Sequence, residues 1–139
     1  MSIDIYTDGA YSSSRDQGGV GIVFLIDGKL HKKYQRMFKH TTNNQMEMCA
    51  VIIALRSIKT NCDKIVIHSD SQYVIGCATK GWKRKKNVKL WGQYDEAYKM
   101  ASSYCPNISF TWVHGHAGDE FNEMCDKLAV NASQEYEIT

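Results

Sequence analysis

Four acidic residues stand in distinctive local sequences and could act together chemically. Asp8 lies in the segment YTDG and Asp70 in HSDSQY, each just past a short apolar run that predicts a β-strand. Glu47 lies in TTNNQME and Asp126 in CDKLA, and both segments predict helices. Carboxylate oxygens are preferred ligands of hard divalent cations, which activate water for attack on phosphate. Four carboxylates from dispersed segments therefore predict a metal site with hydrolytic chemistry.

Each of the four also has a purely structural interpretation, which the residues alone leave open. Asp8 could belong to a turn, because Asp-Gly is a common turn sequence. Asn44 and Glu47 have the spacing of a helix capping box. Asp70 could cap the helix that follows it, and Asp126 could lie on a solvated helix face. Only their order and surroundings favour the chemical interpretation.

The pattern of apolar residues predicts five strands and four helices. We expect strands at 3–6, 18–25, 29–38, 64–68 and 108–113, and helices at 44–59, 71–78, 88–103 and 120–132. An early hairpin followed by strand–helix units predicts an α/β fold, with a mixed five-stranded sheet and helices on both faces. In such folds functional groups gather beyond the ends of strands.

Length and composition set limits on the kind of protein. The 139 residues fit a single domain, 1–139, and 43% apolar with 23% charged residues indicates a globular chain. The longest apolar run, 49–55, is too short to span a membrane. Five cysteines without a CxxC pair argue against a disulfide framework or a zinc site. We therefore expect a monomer in a reducing, cytoplasmic compartment, with no membrane association.

A basic segment, residues 80–89, holds six of the seventeen lysines and arginines. Such a cluster favours a polyanionic partner, although a solvated loop or a localisation signal would look the same. Trp82 lies inside the segment, and an aromatic ring beside cations suits stacking and phosphate contact. Trp91 and Trp112, by contrast, lie in apolar periodic segments and are expected in the core.

Other chemistries find little support. The sequence has no nucleophile elbow, no phosphate-binding Gly-x-x-x-x-Gly-Lys loop and no dinucleotide-binding fingerprint. His116 lies in the small-residue segment HGHAG, where an imidazole near carboxylates could move protons or assist product release.

Six segments in order closely resemble the type 1 ribonuclease H family. They are YTDG at 6–9, TTNNQME at 41–47, SDSQYV at 69–74, KNVKLW at 86–91, VHGHAG at 113–118 and NEMCDKLA at 122–129. The resemblance covers nearly the whole chain. It implies an endonuclease that hydrolyses the RNA strand of RNA–DNA hybrids, leaving 3′-hydroxyl and 5′-phosphate ends, without marked sequence specificity.

The resemblance also implies catalytic roles. Asp8, Glu47, Asp70 and Asp126 match four carboxylates that hold two Mg²⁺ ions, for which Mn²⁺ can substitute. Asp8 would bridge both ions and Asp126 would support the ion that holds the attacking water. Glu47 and Asp70 would complete the coordination of the other ion. His116 matches a loop histidine that assists turnover.

Contacts to the substrate are implied in the same way. Gly9, Asn43, Asn44 and Gln72 match residues that read the minor groove and the ribose 2′-hydroxyls. Thr42 and Asn87 match residues that grip a phosphate of the DNA strand. The basic segment, with Trp82, Lys83, Arg84, Lys85 and Lys86, corresponds to a shortened substrate-binding insert, and His40 stands where an arginine is common.

Three rival interpretations of the sequence remain. A hybrid-binding module that does not cleave is disfavoured by the intact carboxylates. A domain cut from a reverse transcriptase polyprotein would depend on its polymerase for substrate, and the initiating Met1 and the polar terminus at Thr139 favour a stand-alone product instead. A DNA-processing relative such as an integrase is disfavoured by the paired TTNNQME and SDSQ segments.

Overall fold

The computed structural model describes residues 1–114 and 119–136, and within them nine elements. The strands are β1 (Ser2–Ser12), β2 (Gln17–Ile26), β3 (Lys29–Lys39), β4 (Lys64–Ser69) and β5 (Ile108–Trp112). The helices are α1 (Asn43–Arg56), α2 (Gln72–Thr79), α3 (Val88–Tyr104) and α4 (Glu120–Ser133). The elements follow the predicted order.

The strands form one mixed sheet in the order β3-β2-β1-β4-β5. The neighbours β1 and β2, and also β2 and β3, are antiparallel, whereas β4 runs parallel to both β1 and β5. The central strand β1 therefore has a hydrogen-bonded neighbour on each side. This confirms the predicted α/β class and the mixed five-stranded sheet.

The strand β1 is longer than its short apolar run predicted. Its parallel pairing with β4 ends at Thr7 opposite Ser69, but its antiparallel pairing with β2 continues to Ser12. Asp8 therefore lies inside β1, opposite Gly21, and not beyond the strand or in a turn. The predicted end of the strand before Asp8 was wrong, and the alternative of a turn is excluded, because pairing with β2 extends the hydrogen-bonded ladder past the polar residue.

The two faces of the sheet carry separate apolar clusters. On one face the strands pack against α1 and α3, through residues such as Ile5, Val51 and Trp91. On the other face Tyr6, Val23, Leu25 and Cys125 pack together where α4 crosses the sheet. The prediction of helices on both faces is therefore confirmed.

The two tryptophans expected in the core have different environments. Trp91 is 2% exposed and confirms the prediction. Trp112 is 39% exposed, so that prediction was wrong. The reason is topological, because Trp112 ends β5, which is an edge strand and has less of the protein packed around it.

The cysteines and the helices have two further features. All five cysteines are free thiols, as expected in the absence of a disulfide framework. No helix within the described ranges is long and apolar enough to cross a membrane.

Candidate active site

Asp8 and Asp70 are brought together by two parallel strands. Thr7 of β1 is paired with Ser69 of β4. Asp8 directly follows Thr7, and Asp70 directly follows Ser69. Asp8 is only 4% exposed, and its carboxylate accepts a hydrogen bond of 2.9 Å from the Gly9 N–H. The backbone carbonyl of Asp70 accepts a 3.3 Å hydrogen bond from Trp112 Nε1. Trp112, expected in the core, therefore helps to hold the backbone of this site.

Glu47 reaches the same place because α1 lies directly on β1. A Cβ atom at Gly9 would lie 2.4 Å from the Glu47 backbone nitrogen, so only glycine permits this approach. The contact fixes the position of Glu47 next to the strand that carries Asp8. Glu47 is 6% exposed, which is rare for an acidic residue without a paired charge.

Asp126 approaches from the other face of the sheet by a similar device. Gly21 lies opposite Asp8 in the antiparallel ladder, and a Cβ there would lie 2.3 Å from the Cys125 carbonyl oxygen of α4. This close packing places the next residue, Asp126, beside Asp8, and their side chains interact. Asp126 is exposed, and its interaction with Asp8 raises the pKa of that buried carboxylate.

Other residues cap the helices, so the carboxylates remain available. Thr42 caps α1, and its Oγ1 accepts a 3.1 Å hydrogen bond from the Gln45 N–H. The alternative in which Asn44 and Glu47 form a capping box is therefore excluded. Ser71 caps α2 by accepting from the Val74 N–H. The helix α1 also ends at Arg56, earlier than predicted.

The geometry of the cluster suits a divalent cation. One ligand oxygen each from Asp8, Glu47 and Asp70 lies within 4.8 Å of the other two. The Oε1 atom of Glu47 is buried and has no hydrogen-bond partner among the described residues. A buried, unpaired carboxylate oxygen is costly unless a cation satisfies it. The donor set, all hard oxygens, fits Mg²⁺ or Mn²⁺.

The electrostatics agree with this assignment. Burial, reinforced by the negative charge of Asp70, raises the pKa of Asp8 to about 8. Burial, followed by the charges of Asp8 and Asp70, raises the pKa of Glu47 well above its ordinary value. Without a cation, the cluster therefore binds protons at neutral pH to reduce its own repulsion. A divalent cation would reverse this effect, because it favours the charged carboxylates.

A second group of residues joins the N-termini of α1 and α3. Asn87 occupies the N-cap position of α3 in a left-handed conformation with φ of 57°, but its side chain makes no capping hydrogen bond. Its Oδ1 instead accepts from Gln45 Nε2 at 3.2 Å. The Asn87 Nδ2 in turn donates to the Tyr73 hydroxyl, which also accepts from Trp91 Nε1, each at 3.1 Å. Helix N-termini carry partial positive charge and unpaired N–H groups, which suits a phosphate.

Gln45 and Tyr73 were not singled out as functional residues from the sequence. Both lie within the quoted segments TTNNQME and SDSQYV, which is the signal that could have found them. Their importance comes from contacts across elements, because they hold Asn87 between α1, α2 and α3.

The residues expected to read the groove lie close in the sequence to the carboxylates. Asn43 and Asn44 begin α1 and Gln72 begins α2, and all three side chains are exposed. Gly9 follows Asp8 in β1. The three amides therefore lie at the starts of the helix that carries Glu47 and of the helix that follows Asp70.

The basic segment contains two kinds of cation. Lys83, Lys85 and Lys86 are exposed, and among the described residues none of them forms an ion pair. Arg84 instead binds both carboxylate oxygens of Asp95 at 2.9 Å and packs its guanidinium 4.5 Å from the centre of the Trp91 ring. Trp82 is 47% exposed, and its backbone N–H donates to the Gly76 carbonyl.

Two histidines were also singled out from the sequence. His116 lies outside the described residues. His40, expected near the phosphate site, is held by Asp16 through a 2.7 Å contact between Nδ1 and a carboxylate oxygen.

Comparison with known proteins identifies the family and agrees with the fold. The family model described as RNase H matches residues 1–134. A ribonuclease H of Desulforamulus reducens is 37% identical over 144 residues, covering 96% of this chain and 88% of the relative. One from Shewanella baltica is 41% identical over 145 residues, covering 95% and 88%.

A solved structure shows the same likeness in three dimensions. The RNase H1 of the halophilic archaeon Halobacterium salinarum NRC-1 superposes with a TM-score of 0.76 at 27% identity, covering 95% of this chain and 97% of that one. Motifs, architecture and sequence identity over nearly the full length agree. The chain therefore belongs to the ribonuclease H family of enzymes, which cleave the RNA strand of RNA–DNA hybrids.

Proposed function

We propose that this chain is an endonuclease that uses two divalent cations, held by Asp8, Glu47, Asp70 and Asp126, to cut the RNA strand of RNA–DNA hybrids. The cut leaves 3′-hydroxyl and 5′-phosphate ends and has little sequence preference. The observation that carries the proposal is the buried, unpaired Oε1 of Glu47 within 4.8 Å of two further carboxylates.

The chain's own groups perform distinct tasks at this site. When bound, divalent cations supply positive charge that lowers the pKa of water and stabilises the leaving oxygen. Asp8 and Glu47 are held rigidly by β1 and α1, so their oxygens need little reorganisation to bind a cation. Exposed Asp126 leaves the outer side of the cluster open to solvent, where water and the scissile phosphate can enter.

Discrimination between RNA and DNA is assigned to the amides around the carboxylates. Asn43, Asn44 and Gln72 present donors and acceptors that can bond ribose 2′-hydroxyls in the minor groove. Gly9, which the resemblance places in the same group, lies with its backbone against α1 beside Glu47. These groups contact sugar edges shared by all four nucleotides, which explains an absence of marked sequence preference.

The DNA strand is held at a separate place. Thr42 and Asn87 occupy the N-cap positions of two helices whose N-termini converge, and Gln45 and Tyr73 fix Asn87 there. A phosphate bound at this point positions the hybrid without reading its sequence. The lysines of the basic segment add electrostatic attraction, and by resemblance His116 assists turnover.

One substrate panel tests the function. End-labelled RNA–DNA hybrid, RNA duplex and DNA duplex are each incubated with Mg²⁺, Mn²⁺ or a chelator, and the product ends are identified. We expect cleavage of the RNA strand of the hybrid alone, dependent on the divalent cation, with 5′-phosphate ends. Cleavage that persists in chelator, or equal cutting of duplex DNA, would contradict the proposal. Hybrid binding without cleavage would instead favour a non-cleaving binding module.

A further inference from the structure

A pocket of about 380 Å³ lies between the end of α1 and the strands β1, β2 and β3, at the end of the sheet where β1 begins. We refer to it as the basal pocket, and the residues that matter to its chemistry are Ile3, Phe24, Ile58, His31, Lys32 and Lys59. Ile3 precedes Asp8 by five residues of β1, which corresponds to roughly 17 Å along a strand. The pocket is therefore separate from the carboxylate site.

The floor of the basal pocket is apolar. Ile3, Phe24 and Ile58 each line it and belong to the main apolar cluster, where they are largely buried. A cavity with an apolar floor favours an apolar side chain, because filling it removes hydrocarbon surface from water. Its volume is sufficient for one large side chain.

The rim of the basal pocket is cationic because of a β-bulge. The register between β2 and β3 shifts at Phe24 and Leu25, so Lys32 pairs with Phe24 and Leu30 with Leu25, while His31 has no partner. Successive strand residues normally point to opposite faces, but at a bulge the side chains are redirected. His31 and Lys32 consequently both line the pocket, facing Lys59 from the segment after α1.

These cations are not neutralised within the part of the chain that the structure describes. Neither Lys32 nor Lys59 forms an ion pair there. Asp63 binds the N-terminal ammonium, and Asp27 accepts a hydrogen bond from the Ser2 N–H and pairs with neither lysine. Within the described residues, the rim therefore presents two lysines without an ion-pair partner around an apolar floor.

We propose that the basal pocket is a docking site for an acidic peptide segment of a partner protein, with one apolar side chain inserted between Lys32 and Lys59. The carboxylates of the peptide would pair with the rim, and its apolar side chain would fill the floor. A nucleic acid backbone would satisfy the cations but leave the apolar floor exposed, so the peptide is the better fit. A partner bound here leaves the carboxylate site open to the hybrid. The inference does not depend on the proposed hydrolytic function.

The test uses a fluorescein-labelled ten-residue peptide with four aspartates around a central phenylalanine, and measures binding by fluorescence anisotropy. We expect saturable binding to the full chain in the micromolar range. Replacing the phenylalanine by serine, or the aspartates by asparagines, should abolish it. Lys32→Glu and Lys59→Glu should each weaken binding about tenfold, since like charges would face each other. Lys99→Glu, at an exposed lysine of α3, is the matched control and should bind normally.

Two further measurements keep the result interpretable. Thermal unfolding and hydrolysis of the hybrid should be unchanged in Lys32→Glu and Lys59→Glu, because neither residue is near the carboxylates. Absence of peptide binding to the unaltered chain would overturn the proposal, and so would equal binding by the two variants and the control. It would also be overturned if the variants lost affinity for a labelled single-stranded oligonucleotide while the peptide failed to bind, since the surface would then serve nucleic acid.

Discussion

The residues to which we assign the function are costly to bury. Asp8 and Glu47 are nearly inaccessible, carry like charges, and have pKa values raised by burial and mutual repulsion. No internal cation balances them among the described residues, because the ion pairs lie elsewhere. Such an arrangement is unfavourable for folding alone. It is explained by a ligand of opposite charge that completes the site.

Asp70→Asn should abolish turnover and preserve the fold. The amide has the same shape but lacks the negative charge that helps to hold the cations. Bound cations stabilise the charge of the transition state by several kcal/mol. We expect single-turnover cleavage of the hybrid to fall by at least about a hundredfold. The far-ultraviolet circular dichroism spectrum should be unchanged. Glu96→Gln, at an exposed acid of α3, is the control and should retain full activity. Normal rates in Asp70→Asn at saturating Mg²⁺ would refute its role as a ligand.

Asp8→Asn should change how stability depends on pH in the presence of a chelator. The folded pKa of Asp8, about 8, lies above its ordinary value of 3.8, so between these values the folded state binds more protons than the unfolded state. The free energy of unfolding contributed by Asp8 is therefore lost as pH rises from about 4 to about 8. Asp8→Asn removes this loss and should be the more stable protein at pH 8.

Thermal unfolding at pH 5, 6, 7 and 8 measures the effect. We expect the melting temperature of Asp8→Asn to exceed that of the unaltered chain by about 5 °C at pH 8, with the difference shrinking toward pH 5. Added Mg²⁺ should raise the melting temperature of the unaltered chain more than that of the variant. A difference that is constant across this pH range would show that Asp8 does not titrate as described.

At the scale of elements, periodicity predicted which segments are helices and strands, but contacts between elements decided their ends. The capping box of Asn44 and Glu47 satisfied the local pattern, yet α1 begins one residue earlier with Thr42 as its cap. The approach of α1 to Gly9 commits the Glu47 side chain to the carboxylate cluster. A single sequence does not reveal such packing. The extension of β1 past Asp8 has a similar origin, since it depends on pairing with β2.

The candidate site was predictable to the same extent. The four carboxylates were identifiable because each occupies a distinctive segment, and the structure brings Asp8, Glu47 and Asp70 within ligand distance. Gln45, Tyr73 and Trp112 were missed as supports because their roles arise from hydrogen bonds to residues far away in the sequence. The two close approaches, at Gly9 and Gly21, were equally invisible without the helices packed on them.

Gly9→Ala tests whether helix–sheet packing sets the site. The new methyl group would lie 2.4 Å from the Glu47 backbone nitrogen, so α1 must move away from β1. We expect a loss of about 1–3 kcal/mol in the free energy of unfolding, together with reduced hydrolysis at saturating hybrid.

Gly92→Ala is the matched control for this substitution. Its Cβ would meet nothing within 4 Å, and Gly92 lies in α3. We expect Gly92→Ala to be stabilised by about 0.5–1 kcal/mol with normal activity. Urea unfolding and single-turnover kinetics compare the two variants. Equal stability of Gly9→Ala and the unaltered chain would show that α1 has more freedom than the contact implies.

At the scale of the whole molecule, the acidic residues of the candidate site and the basic segment lie on different elements. The carboxylates occupy the middle of the sheet, whereas the basic segment projects between α2 and α3 near the caps that we assign to the DNA strand. Arg84 is committed to Asp95 and to the face of Trp91, so it anchors the segment to α3. Lys83, Lys85 and Lys86 remain exposed. The segment thus combines a structural cation with three that are available to a polyanion.

This division leads to a prediction about binding. Replacing Lys83, Lys85 and Lys86 together by alanine should raise the Michaelis constant for the hybrid and reduce the salt dependence of binding, because fewer counterions are displaced. The slope of log affinity against log salt should fall by up to about 2–3 for three lost phosphate contacts. The rate at saturating hybrid should change little, since the carboxylates are untouched. Arg84→Ala should instead lower thermal stability, because it loses the contacts to Asp95 and Trp91.

The matched control removes the same charge elsewhere. Lys33, Lys64 and Lys99 are exposed lysines on β3, β4 and α3, and their triple alanine variant has the same net charge as the test variant. If the basic segment contacts the hybrid, only the first variant should show a flattened salt dependence. Equal effects of the two triple variants would mean that total charge attracts the substrate at long range. The segment would then be a solvated loop, and Thr42 and Asn87 alone would hold the DNA strand.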